Sequence, residues 1–234
     1  MNKLSTFNPT PLYDAVIPST NKKVKYRPFF VKEERALLAA QESEDVATML
    51  NTISAVVRSC ITSNTEIELT TFDVEYMFVQ IRAKSVGEES TLIFACNNCE
   101  EKTPITIDLR KVIVDMPASN QTMIKLSDTI AMQMRYPTIE ELTEIDGEHD
   151  PLLAKQLAIT SCVESIYKND EVVHRGEVPV SEIITFIDEL TGKQYKMLEA
   201  FFDNIPETKY KLDWKCPKCG HEHNQVLRGI NSFF

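Results

Sequence analysis

The sequence predicts an α+β fold of two similar halves, each a set of helices followed by a β-hairpin, joined by one zinc-ribbon-like site of four cysteines. Three observations carry this expectation. Two short motifs, Cys96-Asn97-Asn98-Cys99 and Cys216-Pro217-Lys218-Cys219, have the two-residue gap of a zinc knuckle. Each sits between strand-like runs: Thr91–Ala95 and Thr106–Leu109 around the first, Lys209–Trp214 and Gln225–Leu227 around the second. The order helices, strand, C-x-x-C, strand occurs twice along the chain, which predicts an internal duplication.

Residues 1–24 contain Pro9, Pro11 and Pro18 among small polar residues and read as an extended arm rather than a helix. The arm's apolar points, Phe7, Leu12, Tyr13, Val16 and Ile17, suit docking either on a partner or on the chain's own domain. Lys22-Lys23-Val24-Lys25-Tyr26-Arg27 alternates like a solvated edge strand. The first half is expected over residues 25–134. Val31–Ala40 reads as a helix with Glu33 and Glu34 in its first turn, where the helix dipole favours carboxylates. A second helix is predicted from Asp45 to Ile61, since Val46, Met49, Leu50, Ile53, Val56, Val57 and Cys60 recur at spacings of three and four. Thr70-Thr71-Phe72-Asp73 caps a third, Phe72–Ser85, which Gly87 ends. After the first knuckle, Ile105–Leu109, Lys111–Val114, Met123–Leu126 and Ile130–Met134 read as one small sheet.

The second half is expected over residues 135–234. Arg135-Tyr136-Pro137 with Glu140-Glu141 echoes Arg27-Pro28-Phe29 with Glu33-Glu34, and Ser161-Cys162-Val163 echoes Ser59-Cys60-Ile61. Helices are predicted over Pro151–Tyr167, over Val180–Leu190 with Ser181 as cap, and over Thr191–Phe202. Asp146–Asp150, with His149, and Lys168–Glu171 read as solvated connectors.

A single C-x-x-C is half a site. Two in hairpins supply the four ligands of a closed structural zinc centre, Cys96, Cys99, Cys216 and Cys219. The spacing of 117 residues between Cys99 and Cys216 means such an ion would staple distant parts of the chain. An oxidised pair, a redox C-x-x-C and knuckles without metal are the competing readings. His221 and His223 could each replace a thiolate, but with four cysteines present they read as solvated turn residues. Cys60 and Cys162 lie in apolar helical patterns and read as core. This cysteine usage is not a secreted disulfide framework and fits a reducing cytosol.

The remaining composition excludes several classes. No apolar run reaches the ~20 residues of a membrane span, and the N-terminus has no apolar signal core. A net charge of −10 argues against broad nucleic-acid binding, which needs clustered cations. The sequence contains no phosphate-binding glycine loop and no G-x-S-x-G. His221-Glu222-His223 follows its cysteine pair, the reverse of the deaminase order. No catalytic residues are predicted.

The runs Tyr26-Arg27-Pro28-Phe29-Phe30-Val31-Lys32-Glu33-Glu34-Arg35-Ala36-Leu37-Leu38 and Asp73–Gly87, together with Cys96-Asn97-Asn98-Cys99, resemble a family of baseplate proteins of T4-like tailed bacteriophages, hub subunits or hub-assembly proteins. The likeness runs from about residue 18 to the second knuckle. It implies a non-enzymatic late protein of baseplate hub assembly, structural subunit or chaperone, with other hub or tail proteins as partners, as a homo- or hetero-oligomer. It places the protein in the host cytoplasm during assembly and, for a subunit, in the virion tail. No nucleic acid and no membrane are implied. The acidic charge suits a subunit kept soluble until its partner arrives, and the terminal Phe233-Phe234 suits a pocket on a partner or on the second knuckle. The alternative is a zinc-ribbon nucleic-acid-binding or transcription-associated protein.

Overall fold

The computed structural model describes residues 10–62, 67–116 and 122–233. Among them are seven α-helices and twelve short strands in four sheets, a mixed α and β architecture. The chain forms two compact units: one holds the residues up to Asp115 and from Glu207 onward, the other Met116–Pro206. The chain leaves the first unit after β6 (Ile113–Asp115) and returns at β11 (Glu207–Lys215), and these two strands are antiparallel neighbours with Asp115 opposite Glu207. The division therefore differs from the expected halves 25–134 and 135–234. The second unit is inserted into the first, and residues 207–234 complete the unit that holds Cys96 and Cys99.

In the first unit, β1 (Tyr13–Val16), β2 (Lys23–Tyr26) and β3 (Ile61–Thr62) form an antiparallel sheet in that order. β2 is thus central, not an edge: Val24 and Tyr26 are buried while Lys23 and Lys25 face out. The expected extended arm is a hairpin from Tyr13 onward; Phe7 and Pro9 lie outside the described residues. α1 (Val31–Glu42) starts where the Glu33 carboxylate accepts the Phe30 N–H at 2.7 Å. α2 (Val46–Cys60) is capped by Asp45, which accepts the Thr48 N–H at 2.9 Å. α3 (Thr71–Ser85) begins in a reciprocal capping box between Thr70 and Asp73. β4 (Glu89–Ala95) and β5 (Lys102–Asp108) form one hairpin, and β11, β12 (Glu222–Arg228) and β6 form a second small sheet. Both rest on a core of Val79 and Ala83 from α3 with Ile107, Leu109, Leu212 and Trp214.

Glu75 on α3 accepts the N–H of Ile230, which is buried in the C-terminal 3-10 turn. Burial pushes this carboxyl above its ordinary 4.5. The native state therefore holds the proton more tightly than the unfolded chain, so this group's stabilising contribution is complete below the unfolded value and is lost as pH rises through the folded one. Glu75→Gln, neutral and still an acceptor, is expected to raise the melting temperature at pH 7 and to leave it little changed at pH 4. The Phe233 side chain and Phe234 lie outside the described residues.

The second unit is an antiparallel sheet in the order β10 (Glu171–His174), β9 (Val163–Lys168), β8 (Ile130–Met134), β7 (Met123–Lys125). It carries α4 (Ile139–Asp146), α5 (Pro151–Ser161), α6 (Val180–Asp188) and α7 (Gly192–Phe202). Met132, Met134, Ile159, Cys162, Ile187 and Leu198 lie at the centre of its core. Three expectations are corrected here. The strands predicted over residues 104–136 belong to three sheets, because β5 pairs with β4, β6 with β11, and β7 and β8 with each other. The helix predicted to Tyr167 ends at Ser161: Val163–Lys168 is a strand held on both sides, and it turns back through Asn169, whose φ of 54° makes a tight hairpin. Ser181 lies inside α6 and its carbonyl accepts the Thr185 hydroxyl; the cap position is Pro179.

Local contacts recur between the units. The Arg27 N–H donates to the Cys60 carbonyl at 3.0 Å, and the Arg135 N–H to the Cys162 carbonyl at 2.8 Å. The Arg27 guanidinium pairs with Glu33, which holds the start of α1; the Arg135 guanidinium pairs with Glu141, which holds the start of α4. Cys60 and Cys162 are both fully buried, as expected, and each sulfur lies 3.9 Å from the hydroxyl of the preceding serine.

Candidate metal centre

A tight turn has to bring two sulfurs to one side of a strand end. In the first knuckle the Glu100 N–H donates to the Cys96 carbonyl at 2.8 Å and the Cys96 N–H to the Glu101 carbonyl at 2.9 Å. In the second the Gly220 N–H donates to the Cys216 carbonyl at 2.9 Å and the Cys216 N–H to the His221 carbonyl at 2.8 Å. The residue after the last cysteine is left-handed in both, with φ of 58° at Glu100 and 72° at Gly220. Glycine fits that backbone without strain and glutamate does not. Glu100→Gly is expected to raise the unfolding free energy by about 1 kcal/mol, measured in urea, without changing metal content.

The two hairpins bring all four sequence-predicted cysteines together. Their sulfurs lie within 4.8 Å of one another, with 3.6 Å between Cys96 and Cys219 and 3.7 Å between Cys99 and Cys216. Four thiolates at ~2.3 Å from one tetrahedral ion are separated by about 3.8 Å, so the donor set fits an ion at its centre. All six cysteines are free thiols, and the contacts at 3.6 and 3.7 Å each join one knuckle to the other. Cys96 and Cys216 are buried, Cys99 is half-buried and Cys219 is exposed.

Without an ion the four sulfurs compete for protons. Hydrogen bonds from the Asn98 side chain and the His221 N–H draw the Cys219 thiol down to about 6. The Glu101 N–H favours the Cys99 thiolate, but loss of hydration and the other three sulfurs push it up to about 12. A divalent cation removes this competition by ligating all four as thiolates.

His223 is not the solvated turn residue that its place in the sequence suggests. It is buried, stacked on Trp214 with ring centroids 4.0 Å apart, and its Nε2 lies 3.3 Å from the Cys96 sulfur. In the tautomer with the proton on Nε2 it donates to that sulfur, a contact that would orient the thiolate and soften its charge if Cys96 held an ion. The register Trp214 opposite His223 in β11–β12 places it there. The alternation of the strand after Gly220 is the signal for this inward direction. His221 is exposed and meets His223 edge-on at 4.7 Å. His149 is exposed, as expected. No described helix is long and apolar enough to cross a membrane.

The family model described as "T4 bacteriophage base plate protein" matches residues 10–234. The baseplate hub assembly protein gp26 of enterobacteria phage T4 is 24% identical over 214 residues, covering 92% of this chain and 93% of that protein. No solved structure matches.

Proposed function

Since the chain belongs to the T4 bacteriophage base plate protein family, we propose that it acts in building the baseplate hub of a tailed phage, through protein–protein contacts and without enzymatic activity. The observation that carries this reading is the length of the match: residues 10–234 fit the family model, and the hub assembly relative is covered almost end to end. The geometry is compatible with it. A set of four cysteines fills every position of a tetrahedral ion, leaving no open site for a substrate or an activated water. We assign the ion as zinc, held by Cys96, Cys99, Cys216 and Cys219, because soft thiolates in tetrahedral array select it.

The recurring Arg–Glu–Cys contacts support an internal duplication in which each copy contributes one knuckle to the shared ion. Duplication of a half-site accounts for four ligands in pairs separated by more than a hundred residues. The protein works in the host cytoplasm during assembly, with other hub or tail proteins as partners.

Disrupting the coding sequence tests the function. Infected cells are expected to accumulate unassembled hub proteins and to lack complete baseplates, and normal baseplates in its absence would refute the reading. Mass spectrometry of purified particles and of complexes from infected cells then assigns the role. Presence in both at fixed stoichiometry makes it a hub subunit. Presence only in the complexes makes it a chaperone that departs.

A further inference from the structure

The second unit carries a surface that the metal centre does not use. Between β8, β9 and β10 on one side and α6 on the other lies a cleft of about 280 Å³. Its floor is apolar, with Ile166, Val173, Val178 and Phe186 all partly exposed. Its rim holds Glu171 and Glu182. Among the described residues neither carboxylate has an ion-pair partner, and Lys168 is the one cation lining the cleft.

Two further observations bear on what fits there. The net charge is segregated. Residues 116–206 hold 7 Lys and Arg against 16 Asp and Glu, so nine of the chain's ten net negative charges lie on this unit. Such a surface repels nucleic acid and anionic membrane faces and attracts basic protein. Two of the cleft's elements, β10 and α6, have no counterpart among the described residues of the first unit. There the chain passes from β3 to α3, the helix that leads into a knuckle strand, in residues 63–70. In the second unit the passage from β9 to α7 takes residues 169–191 and adds β10 and α6.

We propose that this cleft is the docking site for a segment of another baseplate protein, in which one bulky aliphatic or aromatic side chain fills the apolar floor and flanking Lys or Arg residues pair with Glu171 and Glu182. The proposal rests on the baseplate reading for the source of the segment. A floor of this size takes a single large side chain, and its burial drives the contact. Flanking cations set orientation and speed association, so binding weakens as salt rises.

The test uses the full-length chain in infected cells, with a photo-crosslinking residue in place of Val173 or, if that chain is unstable, in place of Lys168, which also lines the cleft. The expected result is a crosslink to one segment of a baseplate protein carrying an apolar residue between Lys or Arg, with the yield falling about tenfold or more when Glu171→Lys and Glu182→Lys are combined. A crosslink to an acidic segment, or to a second copy of this chain, overturns the proposal. So does the absence of any crosslink while baseplate proteins still co-purify, and in that case the baseplate reading stands. If the unmodified chain co-purifies with no baseplate protein, the baseplate reading fails and the docking proposal fails with it.

Discussion

Cys216→Ser is expected to abolish binding of the proposed zinc ion and to lower the stability of the first unit by roughly 4 kcal/mol or more. Cys216 is buried, lies 3.7 Å from the Cys99 sulfur and belongs to the same core as Trp214 and Leu212. A hydroxyl there is a poor ligand for a thiolate-bound ion, and three remaining thiolates in that pocket repel without it. The loss falls on the packing of one knuckle hairpin against the other, because the core beneath them is completed by sulfurs from both. Trp214 is the chain's one tryptophan and stacks on His223, so its fluorescence reports this region alone. Thermal unfolding followed at Trp214 should shift well down in the variant, and in the unmodified chain with a chelator. The core of the second unit contains none of the four ligands, so hydrogen-exchange protection of β8 and β9 should be retained.

Asp73→Ala is expected to cost about 3 kcal/mol. The carboxylate is fully buried and accepts four hydrogen bonds, from the N–H groups of Ser19 and Thr70 at 2.9 and 3.0 Å and from their hydroxyls at 2.5 and 2.7 Å. It closes the capping box of α3 and latches the turn between β1 and β2 to that helix. Alanine strands several buried donors, each costing on the order of 1 kcal/mol or more. Asp73→Asn, with one acceptor oxygen kept, should lose less. Urea unfolding checks the magnitude, and faster amide exchange over residues 13–26 in the alanine variant checks the latch.

What could be read in advance follows the range of the interactions. Helix caps are local, so Thr70 with Asp73 caps α3 where the sequence places it, whereas α6 starts from Pro179, two residues before the expected Ser181. The knuckles are equally local, and two of them sufficed to foresee the grouping of four sulfurs. Long-range pairing was not legible. Ile159, Cys162 and Ile166 fit a helical stripe as well as they fit a helix followed by a strand, and only β8 and β10 on either side make Val163–Lys168 extended. β2 alternates like an edge strand, yet β3, reached after two helices, makes it central. The insertion was hidden for the same reason: nothing near Asp115 or Glu207 announces that they face each other. His223 was misread because its burial depends on the stack with Trp214, which requires the register of the whole hairpin.

The joining of the two knuckles by one ion is tested most directly by native mass spectrometry of the full-length chain, with thiol alkylation before and after chelation. One zinc per chain is expected, with Cys96, Cys99, Cys216 and Cys219 becoming alkylated only once the ion is removed. A metal-free chain whose four knuckle cysteines react at once, or one whose knuckles are each closed by a disulfide, would contradict it.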